Sequence, residues 1–160
     1  MKRPEKGFSL IELLIVVAII LIIAAIAIPN LLRARMQANE ASAAASIHAV
    51  NTAEISYSSI YASVGFSASL ANLGDGGTSP CAGTATASCF IDSTLAAGTK
   101  SGYIFAYVPD LSSTPTQRYT MNADPITRGT SGQRSFYSSE GNVTRYNVSM
   151  AAGSADSPLQ

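Results

Sequence analysis

From Phe8 to Ile28 the chain is apolar at every position except Ser9 and Glu12. This run of about 21 residues would form about 31 Å of helix at 1.5 Å per residue. A hydrocarbon bilayer core is about 30 Å thick, so the pattern predicts a membrane-spanning helix. A secretory signal has a shorter apolar region and ends at a small-residue cleavage site. This run is longer and ends in IPNLLRARM. Two readings of Pro29 stay open. It is a bend or locally melted turn within a longer helix, or it is the end of the membrane helix.

A second helical pattern covers 31–64. Ala43, Ile47, Val50, Glu54, Tyr57, Tyr61 and Val64 recur at steps of three and four. Shifting by one place admits Ala53 and Ile60 to the same apolar stripe, which predicts packing on a sheet. The remaining positions are mostly Ala and Ser, with charge only at Arg33, Arg35, Glu40 and Glu54. Such a weakly polar helix suits burial on more than one side, or an Ala-rich helix in a low-charge domain. Run together from Phe8 to Ser63, the two patterns are longer than a chain of this size can bury within itself.

Residues 65–102 are rich in Gly, Ser, Thr and Ala and predict an irregular loop. Strand signals then follow in 103–148. They are Tyr103 to Val108, Gln117 to Ala123, Arg134 to Ser139 and Val143 to Val148, with a turn at Glu140-Gly141-Asn142 between the last two. Residues 149–160 read as a tail. The expected fold is α+β: a long N-terminal helix, half membrane-spanning and half amphipathic, on a four-stranded antiparallel sheet.

Composition narrows the function. Charged residues are 12% of the chain and balance to zero, against about 25% in ordinary soluble domains. No strong attraction to nucleic acid follows, although Arg118, Arg128, Arg134 and Arg145 leave a DNA-binding stripe open. His48 is the one histidine, and no nucleophile, phosphate-loop or calcium-loop pattern accompanies it. No enzyme activity, cofactor or metal is expected. Cys81 and Cys89 lie eight positions apart in the loop. In an exported domain a disulfide fits them better than a metal site, which needs more Cys or His nearby. Lys2, Arg3 and Lys6 precede the span while Arg33 and Arg35 follow it. That three-to-two balance favours a cytoplasmic N-terminus with the C-terminal part exported.

Glu12 remains to be explained, because a charge at bilayer depth costs about 2.5–3.5 kcal/mol. Gly7-Phe8-Ser9-Leu10-Ile11-Glu12, followed by an apolar helix containing Pro29, resembles the processing site of the type IV pilin superfamily. That superfamily includes pilus subunits and the pseudopilins of type II secretion. The likeness is specific over about the first 35 residues and architectural beyond them. It implies a leader of residues 1–7, removed by a membrane prepilin peptidase between Gly7 and Phe8. It also implies methylation of the new Phe8 amine from S-adenosylmethionine.

The resemblance further implies an inner-membrane precursor, an assembly platform, and a helical homopolymer of identical subunits outside the cell. In that homopolymer Glu12 of one subunit would pair with the Phe8 amine of a neighbour, since neither charge tolerates burial alone. A filament subunit for adhesion, motility or DNA uptake is the expectation. A type II secretion pseudopilin and a membrane-anchored domain that never polymerises stand as alternatives.

Overall fold

The computed structural model describes residues 8–76 and 82–159. The chain divides into two units, Met1–Arg35 and Met36–Gln160. One helix, α1 (Leu10–Ile60), contributes to both.

In the first unit every residue from Phe8 to Arg35 is exposed except Ala24, which is half-buried. Ile, Leu and Val side chains that would form a core elsewhere are left uncovered by the described residues. Pro29 lies inside α1, and the helix neither ends there nor restarts at Asn30. A proline lacks the N–H that would bond the carbonyl four residues back, so the Ala25 carbonyl loses its usual helical donor.

In the second unit the stripe read from the sequence is the buried face of α1. Ala43, Ile47, Val50, Glu54 and Tyr57 are buried, as is Ala53, while Tyr61 and Val64 pack partly against the same core. Ile60 departs from the expectation and is 63% exposed. Regular helix stops at Ile60, short of Ser63, although Gly65 N–H still bonds the Tyr61 carbonyl at 3.0 Å. Gly65 has φ +83°, and a Cβ there would lie 2.1 Å from the Thr116 carbonyl oxygen. Only glycine permits this exit from the helix.

The expected irregular loop holds local structure. Two one-turn helices pack leucines into the core: α2 (Leu70–Leu73) sends Leu70 and Leu73, and α3 (Ser93–Ala96) sends Leu95. The sheet has six strands rather than four: β1 (Thr99–Lys100), β2 (Tyr103–Pro109), β3 (Tyr119–Pro125), β4 (Ser135–Ser139), β5 (Arg145–Asn147) and β6 (Ser157–Pro158). Neighbours in sequence are neighbours in the sheet, all antiparallel. The two added strands are two residues long, too short to give a periodic signal in sequence.

Alternation along β2 and β3 sets the inner face. Tyr103 and Phe105 on β2, and Tyr119, Met121 and Ala123 on β3, are buried. Phe105 stands opposite Ala123, which stands opposite Phe136 of β4. Large and small side chains thus face each other across the sheet, as close packing requires.

Polar groups fix where the sheet sits on the helix. Glu40 is 6% exposed and accepts hydrogen bonds from the backbone N–H of Gln133 at 2.7 Å and of Arg134 at 3.2 Å. Arg134 Nε closes an ion pair with it at 2.7 Å, and the guanidinium lies over the rings of Phe136 and Tyr146. Further along, Tyr119 donates its hydroxyl to Asn51 Oδ1 at 3.0 Å, and Asn51 Nδ2 donates to Ser138 Oγ at 2.9 Å.

Burial pushes the Glu40 carboxyl up, but the Gln133 amide, then the Arg134 side chain and amide, outweigh it and hold it below the ordinary 4.5. Its ionised form is therefore favoured by folding, and that stability is lost as pH falls below about 4.5. Replacing Glu40 by Ala strands two backbone donors and is expected to cost about 1–3 kcal/mol at neutral pH. Thermal melts of the full-length chain in detergent from pH 3 to 7 check this, with a shallower acid-side slope expected in the variant.

Candidate assembly site

Helix α1 begins at Leu10, directly after Ser9, and its first bond runs from Leu13 N–H to the Ser9 carbonyl at 3.3 Å. The first amides of any helix lack internal partners. Glu12 supplies one: its Oε2 accepts from the Ser9 N–H at 3.0 Å. This is the reach-back half of a capping box, in which a Glu at the third helical position satisfies the amide just before the helix. The Ser-x-x-Glu spacing ahead of an apolar run carries that signal, and the sequence reading passed over it. Glu12 therefore has a local partner in the single chain.

Phe8 precedes this cap and is 84% exposed. Gly7 lies outside the described residues, so the geometry of the Gly7–Phe8 bond is not on view. Within the described part, Ser9 and Glu12 are joined at the start of α1, with Phe8 next to them in the chain. Pro29 lies well along the same helix.

The second candidate locality is the segment between α1 and the sheet. Cys89 is exposed, has φ +66°, and is not a free thiol. Cys81 lies outside the described residues, so the Cys81–Cys89 bridge stays an expectation. Around Cys89 the loop is pinned by its backbone. Ser88 N–H bonds the Asn72 carbonyl at 2.9 Å, Cys89 N–H that of Gly74 at 2.9 Å, and Phe90 N–H that of Leu73 at 2.8 Å.

Two helix tyrosines reach out to the same segment. Tyr57 donates its hydroxyl to the Ala85 carbonyl at 2.7 Å, and Tyr61 to the Gly83 carbonyl at 2.9 Å. Their periodic placement marked them only as core residues, because a ring on an apolar stripe does not reveal where its hydroxyl points. Asp92 caps α3 by accepting from Leu95 N–H at 3.0 Å and pairs with Lys100 at 2.7 Å. The Lys100 ammonium, then the Thr94 hydroxyl and the Leu95 amide, hold its carboxyl well below the carboxylate range.

The arginines considered for a nucleic-acid stripe are largely committed elsewhere. Arg134 pairs with Glu40. Arg128 donates to the carbonyls of Gln133 and Val148, and Arg145 to that of Asp156. His48 is exposed on α1. Among the described residues no three His, Cys, Asp or Glu side chains come together in a way that could hold a metal ion.

The family match falls on the first of these localities. Residues 2–28 match the family described as the prokaryotic N-terminal methylation motif. The chain is 68% identical over 38 residues to the type IV wide pilus major component PilA4 of Thermus thermophilus, covering 24% of this chain and 29% of that one. It is 47% identical over 53 residues to the type IV major pilin protein PilA of Myxococcus xanthus, covering 33% of this chain and 24% of that one. The chain thus matches about a quarter of the length of these relatives. No solved structure matches it significantly. The chain thus carries the prokaryotic N-terminal methylation motif at the start of a long helix, and it is similar to type IV pilins over 38 and 53 residues.

Replacing Asp92 by Ala removes the α3 cap and the Lys100 pair together, a loss of about 0.5–2 kcal/mol for a cap. The expected result is faster amide exchange confined to 93–100, with exchange in 103–109 unchanged.

Proposed function

We propose that this chain is a structural subunit of a type IV pilus. The observation that carries the reading is Glu12. It is a carboxylate one turn beyond Phe8, inside a helical segment whose apolar side chains are exposed at every position but Ala24. That surface demands lipid or sister helices, and the segment carries the N-terminal methylation motif.

In this reading the chain is first a single-pass inner-membrane precursor with its N-terminus in the cytoplasm. Prepilin peptidase cuts between Gly7 and Phe8, and the Phe8 amine is methylated. Removing residues 1–7 takes away three basic side chains and one acidic one, so the mature chain is slightly acidic and close to neutral. Little net repulsion then opposes close packing of many copies. An assembly platform draws the subunit from the lipid into a helical homopolymer outside the cell, and the Cys81–Cys89 bridge closes the exported loop.

The single-chain geometry adds a step. Glu12 begins on its own Ser9 amide, and docking exchanges that neutral partner for the charged Phe8 amine of the neighbouring subunit. An N–H donor from an amine cation binds a carboxylate more strongly than an amide does. The exchange therefore favours the assembled state and fixes axial register, since a buried charge left unpaired costs about 3–5 kcal/mol. Pro29, with its missing helical bond, gives α1 a place to yield during packing.

Intact-mass and N-terminal peptide analysis of sheared surface material and washed membranes tests the proposal. A sheared product beginning at N-methylated Phe8 is expected. The same species held in the membranes points to a pseudopilin, and an intact Met1 in every fraction overturns the reading.

Two substitutions separate the roles of Glu12. Glu12→Ala loses both the amide bond and the charge, whereas Glu12→Gln keeps an acceptor for the Ser9 amide. Pairing with a neighbour's amine predicts that neither yields sheared filaments, while both are still processed. Recovery of filaments by Gln alone would reduce Glu12 to a helix cap.

A further inference from the structure

Glu54 is a second carboxylate in an apolar setting, and nothing in the assembly reading uses it. It is fully buried, on the face of α1 that meets the sheet. Among the described residues no Lys, Arg or His forms an ion pair with it. An ionised carboxylate buried without a cation is costly, and a neutral acid is the ordinary way out.

The hydrogen bonds around it point the same way. Glu54 Oε2 accepts from the backbone N–H of Ser67 at 3.0 Å. Its Oε1 is in close contact with Ser67 Oγ. That same Oγ lies 3.1 Å from the Ser69 carbonyl oxygen and 3.3 Å from Tyr107 Oη. The Tyr107 hydroxyl, with its single proton, lies 3.0 Å from the Ser67 carbonyl oxygen and also faces the Glu54 carboxyl. A serine hydroxyl has one hydrogen. It cannot serve the carboxylate, the Ser69 carbonyl and the tyrosine oxygen at once. One more proton lets every contact of that hydroxyl be a hydrogen bond: Glu54 Oε1–H donates to Ser67 Oγ, and Ser67 Oγ–H donates to the Ser69 carbonyl, which also accepts from the Asn72 N–H at 3.1 Å.

We propose that Glu54 is a neutral carboxylic acid in the folded protein, and that its proton latches residues 67–69 to α1 and β2. The titratable groups facing it are Tyr57 on its own helix, Tyr107 on β2 and Tyr119 on β3. All three are phenols raised above their ordinary 10, chiefly by burial, so all are uncharged below pH 9. Burial likewise pushes the Glu54 carboxyl up, against the opposing hydrogen bonds of Ser67, Tyr107 and the Ser67 amide.

The sign follows from the raised value. Stability from the protonated latch is fully present below the ordinary 4.5 and is lost as pH rises through the folded value. This is opposite to Glu40, whose contribution is lost on acidification. Ionisation would turn the Ser67 hydroxyl away from Ser69 and leave a charge in the core. The start of the loop carrying Cys89 then loosens from the helix.

The test uses the full-length chain in detergent micelles, labelled with ¹³C at glutamate carboxyls. The Glu54 signal is assigned by its loss in Glu54→Gln. Conversion from acid to carboxylate above pH 4.5 is expected, and conversion at or below 4.5 overturns the proposal. Gln reproduces the neutral acid, with an N–H for Ser67 Oγ and an oxygen for the Ser67 amide. Between pH 5 and 9 the wild-type melting temperature is therefore expected to fall while that of Glu54→Gln stays flat. An equal fall in both overturns the latch. Should the variant fail to fold, the wild-type signal is assigned through Glu54→Asp, and its titration decides.

Discussion

The second unit depends on one seam, where the Ala43–Tyr57 stripe of α1 meets the inner face of β2, β3 and β4. Apolar contact drives the seam closed but does not choose among neighbouring placements, because it is proportional to area and has no direction. Direction comes from three polar side chains set along the same helix. Glu40 grips the strand β4 end of the sheet, Asn51 bridges β3 and β4, and Glu54 engages the loop and β2. A slip of the sheet along the helix would break all three sets at once and bury their atoms unpartnered. The long loop, the short helices and the two edge strands are then hung on a core whose register is already decided.

The first unit has the reverse character. Its side chains are as apolar as any core, and among the described residues nothing covers them. The apolar helix is therefore a surface waiting for a solvent or a partner, and its stability is inseparable from what surrounds it. A carboxylate in that surface does little for one chain beyond capping its helix. In the assembly proposed above it would gain a second role, as many chains bring their amines near it.

Much of this was legible in the sequence. A run of 21 or so apolar residues cannot be a strand or a loop, and a stripe at steps of three and four could only be one face of a helix. The unlikely carboxylate of Glu12 stood out because its surroundings are so uniform. Other features were hidden for physical reasons. Hydrogen-bond direction has no period, so the reach of Tyr57 and Tyr61 across to the loop, and of Glu40 to β4, left no trace in spacing. The helices at 70–73 and 93–96 are single turns held by long-range packing of Leu73 and Leu95 rather than by propensity. Ile60 matched the stripe by spacing but falls where the helix is ending, and there the periodic argument no longer applies.

The two-residue strands at the margins of the sheet have a bearing on life at high density. A sheet edge offers unpaired amides and carbonyls to any strand that drifts past, and crowded copies of one chain are the worst case for such mispairing. Here β1 and β6 present almost no edge, and β6 places Pro158 opposite Arg145. In the filament proposed above, margins this short would give neighbouring sheets little to pair with and would favour order through the apolar helix.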